Sequence, residues 1–249
     1  MKLVIDIGNT RIKTGFFERD TMVDMQIFED FSVDQLENLI KNQSINKSEF
    51  SPVKHAIISA VRNYPEEIKI LLSSRYQFIE LSPIVPLPIT LKYQTPETLG
   101  KDRIALAVAA SGTFPGHNVL IIGAGTCITY DFINGHTEYF GGAISPGIRM
   151  RFQALNTFTS KLPLVSIIDH AVLIGDSTES SIQSGVLNGV VAEVKGIIEK
   201  YEEQFSDLKI ILTGGDANYF DKSLKNNIFA NSNMVLAGLN MILDYNVGA

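Results

Sequence analysis

The sequence is poor in cysteine, with Cys127 as its single thiol, and it has no tryptophan among its 249 residues. One thiol cannot build a disulfide framework and suits a reducing compartment. The sequence also lacks a basic run of the kind that binds nucleic-acid phosphates, and its net charge is −6. Its N-terminal apolar stretch is interrupted by Asp6, which argues against a signal peptide or a membrane span. We therefore expect a cytoplasmic protein that binds neither nucleic acid nor a membrane.

Metal-ligating and nucleophilic residue types are also scarce. The four histidines, at positions 55, 117, 136 and 170, show no metal-ligand spacing. Cys127 has no base beside it in the sequence, so a small buried thiol is favoured over a nucleophile. The chain does contain 45% hydrophobic and 19% charged residues. This composition is typical of a globular protein, and the length allows one large domain or two modest ones.

Two segments of the chain follow the same plan. The stretches "VIDIGNTRIKTGFF" (4–17) and "LIIGAGTCITYDFI" (120–133) each combine an apolar strand, a turn of glycine, small polar residues and threonine, and a returning strand. This repeat predicts two related α/β halves, with the two turns opposed across a cleft. Glycine and proline cluster at 112–116, so we expect the halves to be 1–113 and 114–249.

Capping signals and periodicity predict the other elements. Ser32 followed by Gln35 indicates a capping box. Thr98 is the expected N-cap of a helix through "GKDRIALAVAASG", and Pro146 is expected to start another helix. Residues 178–204 predict a long helix whose apolar face is either core or a dimer surface. The remaining expected elements are strands at 2–7, 11–17, 21–28, 55–61 and 208–215, and helices after Pro65 and at 233–244.

The first turn has the composition of a phosphate site. Gly8, Asn9 and Thr10 would offer backbone N–H groups, an amide and a hydroxyl to an anion. Asp6, just before them, would repel phosphate unless a divalent cation lay between the two groups. We therefore expect Asp6 to hold Mg²⁺, and Lys13 to add positive charge if its side chain turns toward the cleft. The alternative is an ordinary β-hairpin whose Asp and Asn side chains satisfy the backbone of the turn.

Two more turns of glycine and threonine follow strands. Gly125-Thr126-Cys127 offers a cradle like that of the first half, and Thr213-Gly214-Gly215 would let a nucleotide ribose or base approach the backbone. One such turn is weak evidence, but three at three strand ends favour a nucleotide-binding function.

The segment "LGKDR" (99–103) carries the candidate base. Asp102 lies near the start of the predicted helix, where the positive end of the helix dipole favours an ionised carboxylate. Such a carboxylate can accept the proton of a substrate hydroxyl during phosphoryl transfer. The alternative, equally compatible with the spacing, is that Asp102 and Arg103 are surface charges at a helix start.

These residues lie in ordered motifs that resemble the type III pantothenate kinase family, part of the acetate kinase, sugar kinase, Hsp70 and actin superfamily. The motifs are "DIGNTRIK" (6–13), "GKDR" (100–103), "GTCITYD" (125–131), "GGAISPG" (141–147), "DSTESSIQSG" (176–185) and "TGGDA" (213–217). The resemblance covers nearly the full chain. It implies two ribonuclease H-like (actin-like ATPase) α/β halves, with mixed sheets facing a central cleft.

The resemblance also implies an activity and its residues. The reaction would be ATP-dependent phosphorylation of pantothenate to 4′-phosphopantothenate, the first step of coenzyme A biosynthesis, with Asp102 as general base and Asp6 as metal ligand. Thr178 fits a substrate-binding threonine that the family often contributes across a dimer interface, so a homodimer is implied. The residues implied to bind ATP are Asp6, Ile7, Gly8, Asn9, Thr10, Arg11, Ile12, Lys13 and Thr126. Those implied to bind pantothenate are Tyr93, Gly100, Lys101, Asp102, Arg103 and Thr178.

The sequence departs from the family pattern at two positions of the second turn. Members commonly carry Asp, as a ligand for a monovalent cation such as K⁺ or NH₄⁺, where this chain has Gly123. Glycine has no carboxylate, so we expect a weaker need for K⁺ or binding through other oxygens. Cys127 replaces the usual alanine, a small change in volume.

Two other functions remain open at this point. One is a different small-molecule kinase, or a phosphatase, of the same superfamily, because fold and phosphate turns do not fix the second substrate. The other is a non-catalytic nucleotide-binding regulator, of the kind suggested by relatives described as transcriptional accessory factors. A regulator would be expected to lose the base and substrate residues. The chain retains Asp6, Tyr93, Asp102, Arg103 and Thr178, which favours the kinase.

Overall fold

The strands of the chain form two mixed sheets with helices packed on them, in a computed structural model that describes residues 1–46, 51–221, 224 and 228–248. The strands are β1 (Lys2–Ile7), β2 (Ile12–Glu18), β3 (Thr21–Phe28), β4 (His55–Ala60), β5 (Gln77–Glu80), β6 (Thr90–Leu91), β7 (Val119–Ala124), β8 (Cys127–Ile133), β9 (Glu138–Pro146), β10 (Lys209–Thr213) and β11 (Ile228–Ala230). The α/β class and the mixed sheets expected from the sequence are confirmed.

The helices are α1 (Val33–Asn46), α2 (Glu66–Arg75), α3 (Lys101–Thr113), α4 (Ile148–Thr157), α5 (Thr178–Gln183), α6 (Gly189–Gln204), α7 (Ala217–Asp221) and α8 (Met234–Val247). A 3₁₀ turn at Pro96–Thr98 precedes α3, and a π-helical turn at Ser184–Asn188 joins α5 to α6. The long helix expected over 178–204 is therefore present, with a π turn in its middle. Within the described ranges, no helix is both long enough and apolar enough to cross a bilayer.

By its internal contacts the chain divides into two compact units, Met1–Thr113 with Asn233–Ala249, and Phe114–Ser232. The strand order in the first unit is β3-β2-β1-β4-β5, and in the second it is β11-β10-β7-β8-β9. In each unit a meander of three antiparallel strands is extended by two parallel ones. The two halves thus share one topology, as the sequence repeat predicted.

The C-terminal helix α8 was predicted to belong to the second half, 114–249, but the structure places it in the first unit. α8 packs on α3, β1 and β4 and so belongs to the first unit. Gly238 makes this packing possible, because a Cβ there would overlap the carbonyl oxygen of Ala105 on α3. The sequence gives no direct sign of this contact, because it joins residues more than a hundred positions apart.

The two faces of β1 pack against different helices. Leu3, Ile5 and Ile7 are buried against α1 and α2. The opposite face carries Val4 and Asp6, since side chains alternate along a strand. Gly15, the partner of Val4 on β2, lies close to Leu236 of α8. Asp6 is therefore on the face of the sheet that α8 and α3 cover.

Two of the expected helix starts are wrong. Thr98 does not cap α3, because its Oγ1 donates to the Thr95 carbonyl at 2.9 Å inside the 3₁₀ turn, and α3 begins at Lys101. Pro146 is the last residue of β9, and Gly147 is the N-cap of α4.

The predicted capping box before α1 is confirmed. The Ser32 N–H donates to Gln35 Oε1 at 2.8 Å, and the Gln35 N–H donates to Ser32 Oγ at 3.3 Å.

Candidate active site

Three polar residues line up across the sheet of the first unit. Asp6 of β1 is paired with Lys13 of β2 on one side and with Ser59 of β4 on the other. Residues paired across strands point to the same face, about 5 Å apart between their Cα atoms. Lys13, Asp6 and Ser59 thus form a row at the end of β1, on the face that α3 and α8 cover.

The Asp6 carboxylate lies in an unusual environment. Its Oδ1 is buried and has no hydrogen-bond partner among the described residues. Burial, and after it the negative charge of Asp102, raise the pKa of Asp6 to about 7, although the Lys13 ammonium and the Ser59 hydroxyl act in the opposite direction. A buried carboxylate oxygen without a donor is costly unless a cation or another donor pairs with it, so Asp6 Oδ1 is suited to bind a cation.

Lys13 is the positive member of the row. Burial lowers the pKa of its ammonium, while the neighbouring Asp6 charge raises it and the Arg11 charge lowers it. The net direction is downward. Lys13 therefore brings a partly desolvated positive charge beside Asp6, and its contact with phosphate stays a prediction.

The turn between β1 and β2 is held by backbone and side-chain bonds. The Gly8 N–H donates to the Arg11 carbonyl at 3.0 Å, so this N–H is engaged inside the turn. Arg62, which the motifs do not include, donates from Nε to the Gly8 carbonyl at 3.1 Å. Asn9 and Thr10 are exposed. Asp6 Oδ1 does not satisfy the turn backbone, which removes one support of the ordinary-hairpin alternative.

Not every residue of the 6–13 segment offers its side chain to a ligand. Ile7 is 1% and Ile12 is 2% exposed, and both belong to the hydrophobic core of the first unit. Only their backbone groups can line a phosphate site.

Asp102 lies in the first turn of α3, close enough to Asp6 for its charge to raise the pKa of that carboxyl. Its Oδ1 accepts the Arg103 N–H at 2.9 Å, and Gly100 leaves room for it, because a Cβ at Gly100 would lie 2.6 Å from the same oxygen. Asp102 is half-buried, and Arg103 is 6% exposed. These two residues are therefore not solvated surface charges at a helix start.

Two of the predicted substrate residues are in contact. The Arg103 guanidinium lies over the Tyr93 ring, 5.9 Å from its centroid. This distance is within the range of a cation–π interaction. The contact joins the irregular segment before α3 to the helix itself and places the two side chains against each other.

Glu80, at the end of β5, is a neighbour of the GKDR segment that the sequence did not indicate. Burial raises its pKa, but a hydrogen bond of 2.9 Å from the Lys69 ammonium and the charges of Lys69 and Lys101 outweigh burial and lower it. Glu80 thus remains negative close to Lys101. No spacing signal could have revealed it, because the two residues lie on separate elements.

In the second unit, backbone hydrogen bonds from two glycines hold the turn between β7 and β8. The Gly125 N–H donates to the Cys127 carbonyl at 2.9 Å, and the Gly147 N–H donates to the Thr126 carbonyl at 3.0 Å. A Cβ at Gly147 would overlap the Gly125 carbonyl oxygen. Thr126, the predicted ATP contact, is exposed at the tip of this turn.

The third glycine turn packs against the second. Gly214 has a φ of +101°, and a Cβ there would overlap the Ala124 carbonyl oxygen. That oxygen also accepts the Asp216 N–H at 3.1 Å. Gly215, by contrast, has open space where a Cβ would lie. The turns 125–127 and 213–215 thus form one glycine-lined backbone surface, which the sequence suggested only as separate turns.

Thr178 lies at the N-terminus of α5, which Ser177 caps through a capping box with Ser180. Thr178 is exposed and lines a groove of about 1320 Å³ in the second unit, together with Leu155, Phe158 and Ile182. The apolar lining of this groove was not predicted. The contact of Thr178 with substrate, and the expected facing of the first two turns across a cleft, stay predictions.

The second unit also holds an ion-pair network that no motif indicated. Arg151 donates from Nη2 to Glu193 at 2.5 Å and to Ser145 Oγ at 2.9 Å, and the Tyr130 hydroxyl donates to Glu193 at 2.9 Å. Burial raises the pKa of Glu193, but hydrogen bonds from Arg151, Ser145 and Tyr130 outweigh burial and lower it. The network ties β8 and β9 to α4 and α6.

Asp6, the candidate metal ligand, does not belong to a cluster of metal-ligating side chains among the described residues. In the described part of the chain, no group of three or more His, Cys, Asp or Glu side chains can hold a metal ion. Mg²⁺ does not require such a group, since it commonly binds one or two carboxylates together with substrate phosphates and waters. Gly123 lies on β7 between Thr213 and Thr129, so no carboxylate occupies that position.

The sequence is similar to known proteins along nearly its full length. Residues 2–200 match the family model described as type III pantothenate kinase. The type III pantothenate kinase of Christiangramia forsetii is 49% identical over 248 residues, covering 99% of each chain. That of Phocaeicola vulgatus is 44% identical over 247 residues, again covering 99% of each chain.

Solved structures share the fold at low sequence identity. A conserved protein of Campylobacter jejuni, described as of the Baf family of transcriptional activators, has a TM-score of 0.61 at 21% identity, covering 99% of this chain and 100% of that one. A ROK family glucokinase from Streptomyces griseus has a TM-score of 0.53 at 13% identity, covering 100% and 99%. At such identities the likeness is one of fold alone.

Proposed function

Since the chain belongs to the type III pantothenate kinase family, we propose that it phosphorylates pantothenate with ATP, giving 4′-phosphopantothenate in the first step of coenzyme A biosynthesis. The chain is an enzyme that transfers a phosphate to an alcohol. The observation that carries the assignment of its site is the proximity of Asp6 and Asp102, two carboxylates on separate elements of the first unit.

Asp6 is the proposed ligand of the Mg²⁺ that accompanies ATP. The support is its buried Oδ1, which has no donor among the described residues, and its place before a turn with exposed Asn9 and Thr10. When bound, Mg²⁺ neutralises charge on the phosphates. Lys13 adds a second positive charge on the same sheet face, so phosphate oxygens would meet a positive site rather than a bare carboxylate.

Asp102 is the proposed general base. As the terminal hydroxyl oxygen of pantothenate attacks the γ-phosphorus, the bond from that phosphorus to the β–γ bridging oxygen breaks and ADP leaves. The hydroxyl proton passes to a carboxylate oxygen of Asp102. Asp102 lies in the first turn of α3, near the positive end of the helix dipole.

Tyr93, Gly100, Lys101 and Arg103 are the proposed pantothenate-binding residues of the first unit. The support is the Arg103–Tyr93 contact at 5.9 Å and the burial of Arg103, which together fix two side chains beside Asp102. Preset side chains lose less entropy when substrate binds.

The second unit is proposed to contact the nucleotide through Thr126 and the glycine-lined surface of 125–127 and 213–215. Backbone bare of side chains allows a ribose or phosphate to approach closely. We also propose that the enzyme needs K⁺ or NH₄⁺ less than its relatives do, because Gly123 supplies no carboxylate. Activity in sodium buffer equal to at least half of that in potassium buffer is expected, and complete dependence on K⁺ would refute this proposal.

The proposed assembly is a cytoplasmic homodimer in which Thr178 contributes to substrate binding. Its support is the apolar groove beside Thr178, with Phe158 86% exposed, and the nearby Leu173 and Ile174, which are 81% and 85% exposed. Exposed apolar side chains in one region favour a protein–protein interface. Light scattering of the purified enzyme should give twice the 27.4 kDa chain mass, and Ile174→Asp should give the single mass.

An ATP-consumption assay tests the proposed reaction. Pantothenate as the only acceptor should support turnover, whereas glucose, N-acetylmannosamine and acetate should give no more than the acceptor-free rate. Turnover with a sugar and none with pantothenate would assign a different kinase. ATP binding without turnover on any acceptor would instead favour the non-catalytic regulator.

A further inference from the structure

We propose that Ser59 is a positioning residue of the cation site: its hydroxyl donates a hydrogen bond to the Asp6 carboxylate when that carboxylate holds a divalent cation. This inference rests on the proposed function, because it takes the role of Asp6 from there. Ser59 lies outside every motif quoted from the sequence, on β4, where it follows the apolar residues 56–58.

The register of the sheet brings Ser59 to Asp6. β1 and β4 are parallel, and Asp6 is the partner of Ser59 in their ladder. Side chains at paired positions share a face, about 5 Å apart between Cα atoms. The backbone pairing therefore places Ser59 beside the carboxylate, although the two residues are 53 positions apart in the sequence.

Both side chains have an unmet hydrogen-bonding capacity. Ser59 is 0% exposed, and its Oγ has no hydrogen-bond partner among the described residues. Asp6 Oδ1 is buried and also has none. A buried hydroxyl without a partner is unfavourable, and alanine at that position would pack without this cost. A serine at this position is thus explained by the Asp6 carboxylate beside it, whose pKa the hydroxyl lowers.

A cation creates the need for such a donor. When one oxygen of a carboxylate binds a metal, a hydrogen bond to the carboxylate fixes its orientation, and loss of such a bond typically weakens metal binding 10- to 100-fold. Rotation of the serine hydroxyl among its staggered positions is enough to direct its proton toward Asp6. Lys13, on the opposite side of Asp6 in the row, supplies a positive charge.

Isothermal titration calorimetry of ATP, with Mg²⁺ and separately in EDTA, tests the inference on the full chain. For Ser59→Ala we expect about tenfold weaker binding of Mg-ATP and unchanged binding of ATP in EDTA. The melting temperature of the ligand-free variant should equal or exceed that of the wild type, because an unpartnered hydroxyl has been removed. Ser59→Thr, which keeps the hydroxyl, should bind Mg-ATP within about twofold of the wild type.

A second variant and a control complete the experiment. Ser59→Cys keeps nearly the same volume with a poor donor, and it should reproduce the loss if the alanine variant does not fold. Thr14→Val removes another buried hydroxyl of the same sheet, from the opposite face, and should leave Mg-ATP affinity unchanged. If Ser59→Ala binds Mg-ATP as tightly as the wild type, or loses as much ATP affinity in EDTA as with Mg²⁺, the inference about Ser59 is wrong and the proposed role of Asp6 is unaffected. If the ATP affinity of the wild-type enzyme is the same with and without Mg²⁺, the proposed role of Asp6 is wrong as well.

Discussion

Asp102, at the start of α3, lies close enough to Asp6, at the end of β1, for its negative charge to raise the pKa of Asp6. Burial is the larger cause and the Asp102 charge the second, and together they raise the pKa of Asp6 to about 7. Two carboxylates near each other disfavour the double negative charge, and a cation relieves that repulsion. The proposed metal ligand and the proposed base are therefore coupled electrostatically before any ligand binds.

This coupling predicts that Mg-ATP binding depends on pH. With a pKa of about 7, the ionised fraction of Asp6 is about tenfold larger at pH 8 than at pH 6. Because only the carboxylate binds the cation, Mg-ATP affinity should rise by up to about tenfold over this range. Calorimetric titrations at both pH values measure the effect. The exposed-acid variant Asp20→Asn should keep the full dependence, and a pH-independent affinity in the wild type would contradict the assignment.

The raised pKa of Asp6 also predicts how the stability of the ligand-free enzyme depends on pH. The pKa of Asp6 is above its ordinary value of 3.8, so between about pH 4 and pH 7 the folded state binds a proton that the unfolded state has released. The free energy of unfolding should therefore fall, from this group, as pH rises through that window. Asp6→Asn should remove that part of the fall and melt at a higher temperature than the wild type at pH 8. A lower melting temperature in the variant would contradict the claim that burial of the charged Asp6 carboxylate destabilises the ligand-free enzyme.

Adjacent glycines of the third turn provide a matched pair. Gly214→Ala puts a Cβ at a φ of +101° and against the Ala124 carbonyl, so we expect a loss of about 1–3 kcal/mol and a melting temperature lower by about 5 °C. Gly215→Ala meets open space and should leave the melting temperature unchanged. Calorimetry should also show weaker ATP binding for Gly214→Ala alone. Equal effects of the two substitutions would show that the close approach to Ala124 is unimportant.

The contact between Arg103 and Tyr93 predicts an effect on one substrate only. Tyr93→Leu removes the ring under the guanidinium and should raise the KM for pantothenate about fivefold, while the KM for ATP stays unchanged. Tyr93→Phe keeps the ring and serves as the control for loss of the hydroxyl. Steady-state kinetics with each substrate varied in turn give both constants. A parallel rise of the two KM values would indicate general disturbance of α3 instead.

Much of the fold could be predicted because its signals are local. The apolar run before Asp6 and the turn of Gly8, Asn9 and Thr10 are sufficient to indicate β1, its turn and β2. The Ser32–Gln35 capping box depends on residues three apart and was confirmed. A local capping signal can be misleading where the same side chain can also bond within a neighbouring turn. Thr98 has the side chain of an N-cap, but it bonds back to Thr95.

The parts that sequence reasoning missed depend on long-range pairing. Ser59 and Arg62 reach the first turn only through the ladder of β4 with β1 and the connection that follows it. The close approach of α8 to α3 needs Gly238, a residue that has no motif around it. A single sequence carries no periodic signal for such contacts, since they join elements whose order in the sheet is not known beforehand.

The central claim is that Asp102 takes the proton of the pantothenate hydroxyl. It is tested most directly by single-turnover phosphate transfer in Asp102→Asn, with ATP and pantothenate affinities measured by calorimetry on the same sample. Glu97→Gln, an exposed acid just before α3, is the matched control and should behave as the wild type. We expect the transfer rate of Asp102→Asn to fall at least about 100-fold while both affinities stay within about twofold. A transfer rate equal to that of the wild type would contradict the account.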